Sequence, residues 1–133
     1  MKATGVRGEL LVSEKLISKG WSVAKPIGDG DPYDLLACKE AKSLRIQIKS
    51  TLGAHSYKSH PSPHYQFQLA HGLSSKKRYS KEEVDFFICC ALDVKRFWII
   101  PFEDATVLTL KIYNGEAGSK FHRYEDAWIL LEK

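Results

Sequence analysis

Leu44-Arg45-Ile46-Gln47-Ile48-Lys49-Ser50 is the stretch whose reading decides the fold. Leu44, Ile46 and Ile48 alternate with Arg45, Gln47 and Lys49, the period of two expected of a strand with one apolar face. Gln47 and Lys49 therefore leave the same face, about 7 Å apart along the strand. Just upstream, Tyr33 to Cys38 reads as a second strand with Asp34 at its start, and Lys39-Glu40-Ala41-Lys42 is short enough to close a hairpin. Pairing the two strands brings a carboxylate beside a glutamine and a lysine.

Magnesium takes oxygen ligands, keeps several waters and is held by one or two carboxylates together with substrate phosphate. Asp34 and the side-chain carbonyl of Gln47 suit it. Lys49 cannot be a ligand, but its ammonium can orient an attacking hydroxide or offset charge building on a phosphate. Residues 5–19 read as an amphipathic helix, with Val6, Leu10, Leu11, Leu16 and Ile17 at helical spacing, Thr4 as N-cap and Gly20 where the helix should stop. Glu9 falls on a flank of that stripe with Ser13 and Leu16. It is then either a rim residue where helix meets sheet or a solvated first-turn carboxylate.

Arg7-Gly8-Glu9, Asp31-Pro32-Tyr33-Asp34 and Ile46-Gln47-Ile48-Lys49-Ser50, in that order, resemble the PD-(D/E)XK nuclease superfamily. The similarity is greatest to a branch of small endonucleases that includes a group I intron homing enzyme, and weaker to archaeal Holliday junction resolvases. Tyr79, Val84-Asp85-Phe86-Phe87 and Phe97-Trp98-Ile99-Ile100-Pro101 resemble later strands of that branch, so the likeness covers roughly residues 5–102. It implies an α/β, single-domain restriction-endonuclease-like fold with a central mixed β-sheet flanked by helices. It also implies Mg²⁺-dependent hydrolysis of phosphodiester bonds in double-stranded DNA, with Mn²⁺ able to substitute. Glu9, Asp34, Gln47 and Lys49 become the catalytic set, and the metal falls to Asp34, Gln47, the backbone carbonyl of Ile48 and Glu9 through water. One position departs from the general pattern: an acidic residue usually stands where this chain has Gln47. Glutamine keeps an oxygen ligand and removes a negative charge. A junction resolvase using the same site, and a DNA-binding subunit that has lost turnover, remain the alternatives.

Among Asp29, Asp31 and Asp34, the last adjoins the apolar Leu35-Leu36-Ala37 run and is the expected ligand, while the others flank Gly30 in a turn-rich stretch, with Asp31 as fallback. A calcium loop there lacks its acidic partner about twelve positions along. Cys38, Cys89 and Cys90 form no Cys-x-x-Cys pair, and two of them are adjacent on a strand-like run, so they read as reduced core or sheet residues. His55, His60, His64 and His71 match no common zinc spacing.

A chain of 133 residues with 44% hydrophobic content makes one folded domain, expected to span 1–133. No apolar run is long enough to cross a bilayer and the N-terminus carries no signal-like segment, so cytoplasmic residence is expected. The net charge of +4 is modest, but Lys58 and the Lys76-Lys77-Arg78-Tyr79 cluster follow the catalytic strand and are the expected DNA contacts. Tyr65–Leu69, Asp85–Leu92 and Arg96–Pro101 read as strands, the last two as an antiparallel hairpin, with Thr106–Tyr113 as a further strand. Phe121, Tyr124, Trp128 and Leu131 at helical spacing predict a C-terminal helix. Cutting two strands with so small a chain calls for a homodimer or higher homo-oligomer.

Overall fold

The computed structural model describes residues 2–28, 30–56, 63–71, 77–113 and 120–133. Helix α1 (Lys2–Ser18) is followed by strands β1 (Ser22–Ala24), β2 (Leu35–Lys39), β3 (Lys42–Thr51), β4 (His64–Gln68), β5 (Ala70–His71), β6 (Lys77–Arg78), β7 (Phe86–Ala91), β8 (Arg96–Pro101) and β9 (Thr109–Tyr113). The main sheet has five strands in the order β1-β2-β3-β7-β8. All neighbours are antiparallel except β3 and β7, so the sheet is mixed, as expected. Glu40 and Ala41 join β2 to β3, and Glu40 takes a positive φ of 55° to turn the hairpin. Lys95, at φ 55°, does the same between β7 and β8.

The parallel pair opens on a double clamp. The Asp85 backbone N–H donates to the Arg45 carbonyl at 2.8 Å, and the Asp85 carboxylate accepts from the Arg45 backbone N–H at 2.8 Å and from its guanidinium at 3.0 Å. Burial would push the Asp85 carboxyl up, but the bonds from Arg45 and the nearby Lys81 ammonium outweigh it and hold the group below its ordinary range.

Both faces of the sheet are apolar, and alternation sorts β7 between them. Ile88 and Cys90 join Ile46, Ile48, Phe97 and Ile99 under α1, whereas Phe87 and Cys89 join Trp98 and Ile100 beneath the separate β4–β9 ribbon with its Tyr65 and Phe67. The adjacent cysteines thus point to opposite faces as free thiols.

Three expectations need correction. The helix starts before Thr4, which lies in its first turn and is not the N-cap; Gly20, at φ 94°, does follow its end. More important, the residues expected as one apolar stripe form two. Val12 and Leu16 are buried, while Val6, Leu10 and Ile17 are 51%, 65% and 60% exposed on the opposite side of α1. The C-terminal helix is also absent, replaced by two short 3₁₀ turns, His122–Tyr124 and Trp128–Glu132. Between them Glu125 bridges in extended form to Trp98 and Asp126 turns at φ 53°. The break has a packing reason: Phe121 and Tyr124 belong to the core under β4–β9, Trp128 and Leu131 to the core under α1. A continuous helix would hold all four on one side, so the segment wraps the β8 edge instead. The sheet is therefore flanked by a single α-helix among the described residues.

Candidate active site

β3 outruns β2, and the site sits at the step. Pairing of the two strands begins at Leu35↔Ile46, so the next position in register sets Asp34 opposite Gln47. The Asp34 backbone N–H donates to the Ile46 carbonyl at 2.8 Å, and its carboxylate Oδ2 accepts from the Ile48 backbone N–H at 2.8 Å. A side chain thus takes the edge position that a β2 backbone group would otherwise fill. The Ile48 carbonyl leaves β3 on that same edge, because a strand residue presents its N–H and C=O to one side.

Gln47 is 8% exposed, and its amide Nε2 donates to the Pro32 carbonyl. This bond ties the Asp31–Asp34 segment to β3 and leaves Oε1 as the end of the amide that could meet a cation. Lys49 does not run past the end of its strand, which continues to Thr51. It is half-buried, and its ammonium lies 5.4 Å from the centre of the Tyr79 ring.

Glu9 reaches the site through an unusually close helix–strand contact. A Cβ on Gly8 would collide with the Ser50 hydroxyl and lie 3.0 Å from the Ser50 Cβ, so only glycine lets α1 settle this near β3. The next residue, Glu9, is then a rim residue rather than a solvated one. Its carboxylate accepts a 2.6 Å hydrogen bond from the Lys25 ammonium. Glu9, Lys25, Asp31, Tyr33 and Asp34 line one cavity of about 250 Å³. Burial raises the Asp34 carboxyl above its ordinary value despite the Ile48 N–H; Glu9 adds to the rise, and Lys49 and Lys25 oppose it. The hydrogen bond and charge of Glu9 raise the Lys25 ammonium in turn.

Every donor here is oxygen: two carboxylates, an amide carbonyl and a backbone carbonyl. That chemistry fits a hard divalent cation that keeps part of its water. Among the described residues no three His, Cys, Asp or Glu side chains converge, so a metal here depends on Gln47 and a backbone oxygen.

The basic segment is only partly in view. Lys58 and Lys76 lie outside the described residues, as does the Lys77 side chain, although Lys77 is in β6. Arg78 is exposed and donates to the Ala105 carbonyl at 2.9 Å. Tyr79, expected at the DNA, is half-buried with its ring 5.7 Å from Phe87 and beneath Lys49, where it supports the lysine. Burial, then the charges of Asp34 and Glu83, push its hydroxyl up to about 12. Sequence reasoning missed Lys25 and the Pro32 carbonyl. Neither has a local signal, since Lys25 stands 16 positions from Glu9 and meets it only because α1 packs beside β1.

Among the described residues no helix is long and apolar enough to cross a membrane. A family model described as PD-(D/E)XK endonuclease matches residues 1–131. No curated protein matches the chain. Among solved structures, that of a bacterial homing endonuclease, I-Ssp6803I, is similar with a TM-score of 0.75 at 20% identity, over 98% of this chain and 92% of that one. At that identity the likeness concerns the fold.

Proposed function

The chain belongs to the PD-(D/E)XK endonuclease family, and within that nuclease family we propose that it is a Mg²⁺-dependent enzyme cutting phosphodiester bonds in double-stranded DNA. The observation that carries this reading is the 2.8 Å bond from the Ile48 N–H to the Asp34 carboxylate, which fixes the aspartate against β3, opposite Gln47 in register. Asp34, Gln47 through Oε1, the Ile48 carbonyl and, through water, Glu9 would hold the metal. Bound there, Mg²⁺ would supply a Lewis acid for the scissile phosphate. Lys49, steadied over Tyr79, orients the attacking water and offsets charge that develops on the phosphate. Lys58, Lys76, Lys77 and Arg78 give sequence-independent grip on the backbone.

A linear duplex is the preferred substrate over a four-way junction, since the similar solved structure is that of a homing endonuclease. The enzyme works as a homodimer, because one site cuts one strand. The outer stripe of α1 supports the dimer: Val6, Leu10, Ser13 and Ile17 follow the alternating four- and three-residue spacing of a helix-pairing seam. The spacing is symmetric about its midpoint, so two antiparallel copies can match Val6 with Ile17, and the flanking Arg7 and Glu14 carry opposite charge. With its free thiols at Cys38, Cys89 and Cys90, the last two buried, the protein suits the reducing cytoplasm.

A panel of linear duplex, flap and four-way-junction DNA, each with Mg²⁺, Mn²⁺ or EDTA, tests the reading. Metal-dependent cleavage of the linear duplex by the parent and none by Asp34→Asn is expected. Preference for the junction would favour a resolvase, and binding without cleavage on every substrate would make this an inactive relative.

A further inference from the structure

The Lys25–Glu9 pair has no part in the mechanism proposed above, although it occupies one of the proposed ligands. Lys25 follows β1, the short edge strand, and its ammonium sits 2.6 Å from Glu9 Oε1 on the wall of the cavity shared with Asp34. The two partners differ in freedom: the Glu9 side chain is 21% exposed and that of Lys25 is 60% exposed. The carboxylate is therefore held by the fold, while the ammonium can retire into solvent along its own flexible stem. Exposed ion pairs of this kind are weak. A divalent cation carries twice the charge at the same carboxylate and draws also on Asp34, so it wins the exchange. Lys49 cannot take this part, because it stands half-buried over Tyr79.

We propose that Lys25 is the exchangeable counter-ion of Glu9: it holds the carboxylate when no divalent cation is bound, yields it when one arrives, and thereby sets the metal affinity of the site. The inference rests on the metal-site reading of the preceding subsection. A competitor that must leave before a ligand is usable lowers apparent affinity by the fraction of time it is in place. Lys25 thus keeps the DNA-free protein from loading metal tightly.

Calorimetric titration of the DNA-free protein with Mn²⁺ tests this without any cleavage assay. Lys25→Met, which keeps the stem and removes the charge, should bind Mn²⁺ about three- to tenfold more tightly than the parent. In a Glu9→Gln background, where the pair is already broken, the same substitution should change affinity less than about twofold. An unchanged affinity in Lys25→Met, or an equal gain in both backgrounds, overturns the exchange and leaves Lys25 as a general surface charge. If instead neither the parent nor Lys25→Met takes up Mn²⁺, or Asp34→Asn takes it up as the parent does, the metal-site reading itself fails and the inference falls with it.

Discussion

Asp34 carries its charge at a cost to the fold. Because burial raises its folded-state value, its contribution to stability is favourable below the ordinary carboxylate range and is lost as pH rises through the raised value. Asp34→Asn keeps an oxygen to accept the Ile48 N–H and removes the buried charge. Expected at pH 7 is a melting temperature equal to or above the parent's, with the gain fading in acid, alongside complete loss of cleavage. A lower melting temperature at pH 7 would mean that the ionised carboxylate is a net stabiliser. Lys49→Met should slow single-turnover cleavage at saturating Mg²⁺ by at least about 10²-fold, and a rate within a few-fold of the parent would remove it from the mechanism. At Gln47 the amide cannot be replaced by the acid more usual in the superfamily pattern. Its N–H₂ donates to the Pro32 carbonyl, and a carboxylate oxygen there meets another acceptor, so Gln47→Glu should lose at least about tenfold in rate. Full activity in that variant would show that the Pro32 interaction is dispensable.

At the scale of elements, two contacts fix how the site is assembled. Gly8→Ala improves helix propensity by up to about 1 kcal/mol but drives a methyl group into Ser50. Overpacking, at about 1–3 kcal/mol, should dominate and leave a net loss of up to about 2 kcal/mol in urea unfolding, together with weaker metal binding as Glu9 moves away. The Arg45–Asp85 clamp predicts a pH dependence of the opposite sign to that of Asp34. Its folded-state value is held low, so its stabilisation is present above the ordinary carboxylate range and lost as pH falls through the lowered value. Asp85→Asn should therefore destabilise by about 1–3 kcal/mol at pH 7, and the gap to the parent should close in acid; a gap independent of pH would assign the effect to packing. The C-terminal segment teaches a different point. Helical spacing of its aromatics was genuine, yet the extended Glu125, bound through both carboxylate oxygens to Arg96 at 2.8 and 2.9 Å, breaks the run so that both sides of the sheet receive aromatic cover.

For the whole molecule, association and DNA grip are the properties at stake. Leu10→Glu places a charge in the outer stripe of α1, which touches no core cluster. Sedimentation should show the parent as a dimer and Leu10→Glu as a folded monomer; a monomeric parent would return the stripe to plain surface. Replacing Lys76, Lys77 and Arg78 together by alanine should weaken binding to every duplex. The log–log salt slope should flatten by about one unit for each phosphate that the cluster no longer neutralises, and an unchanged slope would remove the cluster from the interface.

The sequence by itself determined the hairpin and the strand face that bears Gln47 and Lys49, because period-two alternation and a short turn are local properties, and they recur in the structure at Leu35–Lys39 and Lys42–Thr51. It also singled out Asp34, which adjoins an apolar strand, and the β7–β8 hairpin, an apolar run that turns back on itself. Where it misled was over which side of α1 is buried, since Val6, Leu10 and Ile17, read into the apolar stripe, are exposed. Two apolar stripes on one helix give a periodicity that points both ways, and only the approach of Gly8 to Ser50 selects Val12 and Leu16. The same approach decides that Glu9 meets Lys25 and shares a cavity with Asp34. Contacts between residues far apart in the chain are set by packing, and no pattern within a short window carries them.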